Sequence, residues 1–366
     1  MENGYNSNLL HSNLSLPLLK KLSEIGDNLA KYKFKEEITR RLLTGHPTII
    51  EFFFEEECIN YLDKETLWFI LNEIQDSNFN SRKIYFDIRL SILERLFNIG
   101  DQNAERLFKR ELLNVLREND FSLNEILYNG KYIYYLNREE FWSAYGIDGR
   151  VLFEIEKKIK KYKIVDGERI YEKELDRFEY FKPMSGIYIE AGPLIFTFQE
   201  GKVTKIGIFG NEKEVIEASL GDSNLLKENI GYLELEELPE SIDKLNSLTE
   251  LILCNSCLKK LPKSIQNLKN LKELSLASNP EFEIPNFLWN LKSLEILDLS
   301  NNNLTTIPYD IERLENLKEL RLYQNYIYSF PKESIEKLKK LRYIALEGKK
   351  YLSLLDDETR KWLEKY

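Results

Sequence analysis

The chain has 366 residues, 43% hydrophobic and 31% charged, with 52 basic against 61 acidic side chains and a net charge of −9. That length allows two or three domains with buried cores. No apolar run approaches membrane-spanning length, and an acidic balance lacks the cationic footprint that general nucleic-acid binding needs. Residues 1–165 hold 24 basic and 26 acidic groups and the remainder hold 28 and 35, so the excess acid lies in the back half.

The first fourteen residues are polar, with no basic stretch leading into an apolar one. They read as a flexible N-terminus and not as a secretory signal. Three cysteines give no disulfide framework, which places the chain in a reducing, cytoplasmic setting.

Residues 15–165 read as a helical domain containing an internal duplication. LSEIGDNLAKYKFKEEI (22–38) returns as LFNIGDQNAERLFKREL (96–112). INYLDKETLW (59–68) returns as IYYLNREEFW (133–142) at the same offset. Asp27 and Asp101 follow glycine and suit the start of the next helix, as do Asp63 and Asn137. Phe34, Ile38 and Leu42 recur on one helical face, as do Phe108, Leu112 and Leu116. The duplicated helical pattern resembles armadillo or HEAT repeats, which implies a helical repeat domain; a compact bundle is the alternative. The domain closes on a predicted helix over 152–163, with Lys157, Lys158, Lys160, Lys161 and Lys163 on it. Such a run suits a solvated helix face better than a phosphate-binding patch.

Residues 166–202 change period. GIYIE and LIFTFQ alternate around a turn as two strands do, and EGK turns into a further strand at 203–211. This stretch is expected to be a β connector that caps the apolar start of the final segment.

Residues 203–366 carry the strongest signal. Pro239, Pro262, Pro285, Pro308 and Pro331 fall at one constant interval, and Leu248, Leu271, Leu294 and Leu317 keep the same step. Leu297-x-Leu299 alternates as a short strand with one buried face. Asn302, like Asn279 and Asn325, closes its strand, where its amide can satisfy turn backbone. One such unit cannot bury its own apolar edge, but a stack can. The pattern resembles the leucine-rich repeat, in the 23-residue form of intracellular Ras-group repeat proteins. The resemblance implies a curved solenoid of about seven parallel strands, the first two, at 203–211 and 228–239, irregular. Ser256 and Lys349 depart from the asparagine position. Residues 356–366 are expected to form a closing helix with Trp362 over the last apolar layer.

No phosphate loop, HExxH, GxSxG or dinucleotide GxGxxG is present, so neither catalytic, cofactor-binding nor metal-binding residues are assigned. His46 before Pro47 suits a turn, and His11 lies in an unrelated context. Cys254-x-x-Cys257 has no companion pair and reads as filler inside the first clear repeat. Cys58 raises one enzymatic alternative, a ubiquitin-transfer-type enzyme or regulator. The leucine-rich repeat ligases it would resemble carry a CxD context and a helical domain after the repeats. Here the context is CIN and the helices come first. Nucleic-acid scaffolding through 157–163 is a weaker alternative.

Function is then expected on the surface. Side chains flanking the inner leucines form columns on the concave face: Glu250, Glu273, Ile296, Glu319, Tyr343; Ile252, Ser275, Asp298, Arg321, Ala345; and Cys254, Ala277, Ser300, Tyr323, Glu347. Glu250, Glu273, Asp298, Glu319, Arg321, Tyr323 and Tyr343 are the expected partner-binding residues, suited to a basic protein partner. The expected role is non-enzymatic protein binding, and related repeat proteins suggest a small-GTPase-type signalling setting.

Overall fold

The computed structural model describes residues 12–44, 57–74, 81–118, 120–165, 168–171, 181–184, 188–191, 194–210, 232–346 and 355–363. They fall into two compact units, residues 1–115 with 122–130, and residues 116–121 with 131–366.

The first unit is helical. Helices α1 (Ser12–Glu24) and α2 (Asn28–Thr44) precede a 3-10 turn at Cys58–Tyr61. Helices α3 (Lys64–Glu73), α4 (Arg82–Asn98), α5 (Gln102–Glu118) and α6 (Phe121–Asn129) follow, the last two crossing the boundary between units. The internal duplication is visible element by element. Helices α2 and α5 keep the offset of the sequence echo at both their ends, and Cys58–Tyr61 is matched by a 3-10 turn at Tyr132–Tyr135. Each of these turns is entered through a left-handed residue, Glu57 (φ 48°) or Lys131 (φ 57°). Gly26 and Gly100 both take positive φ, and the aspartate after each caps a helix. Ala30 N donates to Asp27 Oδ1 at 2.9 Å, and Ala104 N to Asp101 Oδ1 at 3.0 Å. The two apolar faces, Phe34, Ile38, Leu42 and Phe108, Leu112, Leu116, are all buried.

The second copy ends in helices α7 (Arg138–Ser143) and α8 (Gly146–Lys158), both in the second unit. Asn137 and Glu140 form a reciprocal capping box at the start of α7. Trp142 on α7 and Tyr145, just beyond it, meet a sheet. The Trp142 ring centroid lies 5.5 Å from that of Phe196, and Tyr145 lies 5.3 Å from Phe196 and 4.8 Å from Phe198. Gly149 makes this packing possible, because a Cβ there would sit 1.9 Å from the Trp142 carbonyl oxygen. Buried Asp148 accepts the Val203 N–H at 2.8 Å, tying α8 to the same sheet.

Helix α8 ends at Lys158, earlier than the expected 163. Ile159 takes extended backbone (φ −77°, ψ 125°), and Lys160–Val165 is strand β1, paired antiparallel with β2 (Glu168–Tyr171). Lys160, Lys161 and Lys163 therefore lie on a strand. Strands β3 (Phe181–Met184), β4 (Tyr188–Ala191), β5 (Leu194–Gln199) and β6 (Lys202–Phe209) form an antiparallel meander. Its β5–β6 turn has Glu200 and Gly201 both at positive φ, the backbone that a two-residue hairpin of right-twisting strands requires.

Strand β6 then opens a parallel ladder. It pairs with β8 (Glu250–Cys254), and β9 (Glu273–Ser275), β10 (Ile296–Asp298), β11 (Glu319–Arg321) and β12 (Tyr343–Ala345) continue it in sequence order. That is six parallel strands among the described residues, not seven. The strand expected within 228–239 is β7 (Tyr232–Glu234), and it pairs with β1 in a separate three-stranded sheet. The register explains why. Ile206 is directly opposite Leu251, as Leu251 is opposite Leu274, although the first of these steps takes almost twice as much chain as the second. No slot remains between β6 and β8. Leu235, Leu238, Ile242, Leu245 and Leu248 instead supply the buried return path of a lengthened first turn. Leu235 N donates to Ser256 O at 2.7 Å, holding that path against the next turn.

At the far end, α9 (Lys332–Glu336) replaces the 3-10 turns of the earlier repeats, and α10 (Asp357–Leu363) follows. Trp362 is buried on α10 and donates Nε1–H to Glu336 Oε1 at 2.8 Å, with its ring 6.3 Å from Phe330.

Candidate protein-docking face

The leucines Leu251, Leu274, Leu297 and Leu320 are fully buried. Residues alternating with them point to the other side of each strand, and the ladder register stacks those residues into columns. One column runs Lys205, Glu250, Glu273, Ile296, Glu319, Tyr343; a second runs Gly207, Ile252, Ser275, Asp298, Arg321, Ala345. The structure therefore brings Glu250, Glu273, Asp298, Glu319, Arg321 and Tyr343 onto one sheet face. Tyr323 joins them just beyond β11, its hydroxyl 3.3 Å from that of Tyr343. Tyr343 is 46% exposed. Glu347, expected in the third column, lies outside the described residues.

Two cations temper the acidity of this face. Lys205 Nζ lies 2.6 Å from Glu250 Oε1. Arg321 Nε lies 2.7 Å from Glu319 Oε1, and its guanidinium also reaches Asp298 at 3.9 Å. Asp298 further accepts the Ser300 N–H at 2.9 Å. Arg321 is thus held between two carboxylates of its own chain. Lys205 was not foreseen as part of the face, because the lengthened first turn hides its alignment with Glu250. The signal that could have found it is the alternation Lys205-Ile206-Gly207-Ile208, which matches Glu250-Leu251-Ile252-Leu253. Glu273 is half-buried, and burial, with Glu250 alongside, pushes its carboxyl above the usual range.

Asparagines just past the strand ends link successive turns. Asn302 Oδ1 accepts the Asn279 N–H at 2.7 Å, and its amide donates to Leu276 O at 2.9 Å. Asn279 and Asn325 make the same links one turn away: Asn279 takes Ser256 N and gives to Leu253 O, and Asn325 takes Asn302 N and gives to Leu299 O. Each side chain thereby fastens its own turn to the preceding one.

Residues 226–345 match the family described as a leucine-rich repeat region. Among solved structures, the leucine-rich repeat domain of the type III effector XopL is 29% identical over 31% of this chain and 39% of that one, with a TM-score of 0.28. A leucine-rich repeat protein of Leptospira interrogans, LIC12759, is 31% identical over 38% of this chain and 40% of that one, with a TM-score of 0.26. The chain thus spans about two fifths of the length of these structures. No curated protein matches it.

Outside this face the other candidates are built into the structure. Cys58 is fully buried at the start of its 3-10 turn, matching buried Tyr132 in the second copy. Cys254 is buried with its sulfur 3.2 Å from Ser275 Oγ, and burial pushes its thiol up to about 11. Cys257 sits at positive φ in the following turn. His11 and His46 lie outside the described residues. Lys158 is 2.7 Å from Glu237, and Lys160 lies within 3.7 Å of Glu234 and 3.4 Å of Glu236. Lys157 rests over the Phe153 ring at 3.8 Å. No described helix is long and apolar enough to cross a membrane.

Proposed function

We propose that this chain is a non-enzymatic scaffold that docks a basic protein on the concave face of its leucine-rich repeats. The observation that carries this reading is the unbroken register from Lys205 to Tyr343, which offers carboxylates at one end and the Tyr323–Tyr343 pair at the other. Tyrosines supply contact area at low entropic cost, and an acidic field speeds encounter with a basic partner. The helical part is an armadillo- or HEAT-like support in this reading. The setting is cytoplasmic, of the small-GTPase signalling kind in which Ras-group repeats occur. Ubiquitin-type transfer through Cys58 is disfavoured by the thiol's full burial, and nucleic-acid binding through 157–163 by the carboxylates already paired with Lys158 and Lys160.

A photo-crosslinking amino acid placed at Tyr343, and separately at Lys157, tests the assignment in lysate of the native cell. A protein adduct should form at 343 and be lost in Tyr323→Ala. Adducts formed only at 157 would move the docking surface to α8 and sink the reading.

A further inference from the structure

The four carboxylates of the strand face are not equivalent. Glu250 is engaged by Lys205, Glu319 by Arg321, and Asp298 by the Ser300 N–H and the edge of Arg321. Among the described residues the Glu273 carboxylate takes no hydrogen bond and forms no ion pair. It feels Glu250, Arg321, Lys205 and Glu319 at longer range only. Yet it is half-buried, so its charge has lost part of its hydration without gaining a donor in return.

The register fixes what surrounds it. Glu250 and Ile296 lie directly opposite Glu273 on the flanking strands. Ser275 follows two residues along on the same face, and Ile252 and Asp298 occupy the diagonals, within reach of long side chains. Ile252 and Ile296 are themselves half-buried. The result is one unpaired carboxylate in a floor with isoleucine on either side. A single available carboxylate is too few protein oxygens for a calcium ion, which takes six to eight oxygen ligands. The arrangement complements a side chain with a long apolar stem and a cationic head, since such chains lay their methylenes on apolar surface while the head seeks a counter-charge.

We propose that Glu273, with Ile252 and Ile296, is a socket for one lysine or arginine side chain of the docked protein. This rests on the reading that the strand face binds protein, and it names the group that the face recognises. The cation completes the charge pattern of the column: Lys205 serves Glu250, Arg321 serves Glu319, and the partner serves Glu273.

The test uses the full chain and random twelve-residue peptides displayed on phage, selected in parallel on the wild type and on Glu273→Gln. Glutamine keeps the shape and removes the charge. Peptides recovered on the wild type should share one lysine or arginine position, and that enrichment should vanish on Glu273→Gln. A synthetic peptide from the pool should bind Glu273→Gln roughly tenfold more weakly, and replacing its basic residue by norleucine should cost a similar factor. In a double-mutant cycle the two losses should not add. Peptides that depend on Tyr343 but share no basic position, or that bind Glu273→Gln as tightly as the wild type, overturn the socket and leave protein docking standing. If no recovered peptide is sensitive to Tyr323→Ala, Tyr343→Ala or Glu273→Gln, both readings fall.

Discussion

Asn302 satisfies backbone on both sides of a turn boundary, which no apolar residue could do. Its loss would leave the Asn279 N–H buried without its acceptor and remove one of the two amide donors on the Leu276 carbonyl, the other coming from Asn279. Asn302→Ala should therefore cost about 1–3 kcal/mol in urea unfolding. A neutral result would mean water replaces the amide. Two tryptophans offer a finer comparison. Trp68 Nε1 donates to Asp101 at 2.9 Å with Lys64 3.0 Å from the same carboxylate. Trp142 Nε1 donates to Glu156 at 2.8 Å with Arg138 paired to it. The duplication kept the tryptophan and the cation one helical turn before it, while the carboxylate moved to another place in the sequence. Asp101 also accepts the Asn103 and Ala104 N–H groups, and these donors together hold it well below the usual carboxylate range, the Trp68 bond foremost. Glu156 has no such support, and burial pushes its carboxyl up. Trp142→Phe should thus cost about 1–2 kcal/mol, more than Trp68→Phe, by the same unfolding measurement. The tryptophan pair and the Asp101 cap were legible because both lie inside the duplicated segments. The Glu156 contact was not, because the position one offset beyond Asp101 is Leu175, and only packing selects a substitute carboxylate.

At the scale of elements, periodicity located what repeats and misjudged what does not. The faces of α2 and α5 follow directly from apolar spacing. The end of α8 does not, because Lys160, Lys161 and Lys163 read equally well as a helix end or as one side of a strand. Pairing of β1 with β2 and β7 decides the matter, and no local propensity reports that pairing. Helix α4 carries a testable electrostatic burden. Asp87 is partly buried, and desolvation raises its carboxyl from 3.8 to about 6, with Lys83 opposing the rise. The folded chain then holds this proton more tightly than the unfolded chain does. Stability from this group is therefore greatest below about pH 4 and falls as the pH climbs through about 6. Asp87→Asn should stabilise the protein by about 1–2 kcal/mol at pH 7.5, a figure reduced for the solvent that still reaches the group. Near pH 4 the gain should disappear. Thermal melts of both forms at the two pH values check this, and an equal gap at both would show that Asp87 is not desolvated.

For the whole molecule, the 23-residue ruler predicted the ladder from β8 to β11 residue by residue, and a last step one residue longer carries it to β12. It failed where the chain lengthens its first turn, between β6 and the return path beginning near Leu233. A periodic pattern has no means to signal an interruption that preserves the stack. The same limit hid how the second helical copy is shared out. Residues 133–142 resemble residues 59–68 in sequence, yet they belong to the compact unit of the parallel ladder. The reason is physical. Phe196 and Phe198 on β5 would present a bare apolar face, and a repeat stack needs its terminal layer covered. Trp142, Tyr145 and the Asp148–Val203 bond supply that cover. A fragment of residues 131–366 should accordingly unfold cooperatively and remain monomeric in sedimentation. A fragment of residues 194–366, which keeps the matched repeats and loses α7 and α8, should melt lower and associate through the exposed β5 face. Within the longer fragment, Trp142→Ala with Tyr145→Ala should reproduce that association, at a cost of about 3–5 kcal/mol or more. If residues 194–366 prove as stable and as soluble as residues 131–366, the helices are not a cap, and their packing on β5 contributes nothing that the repeats require.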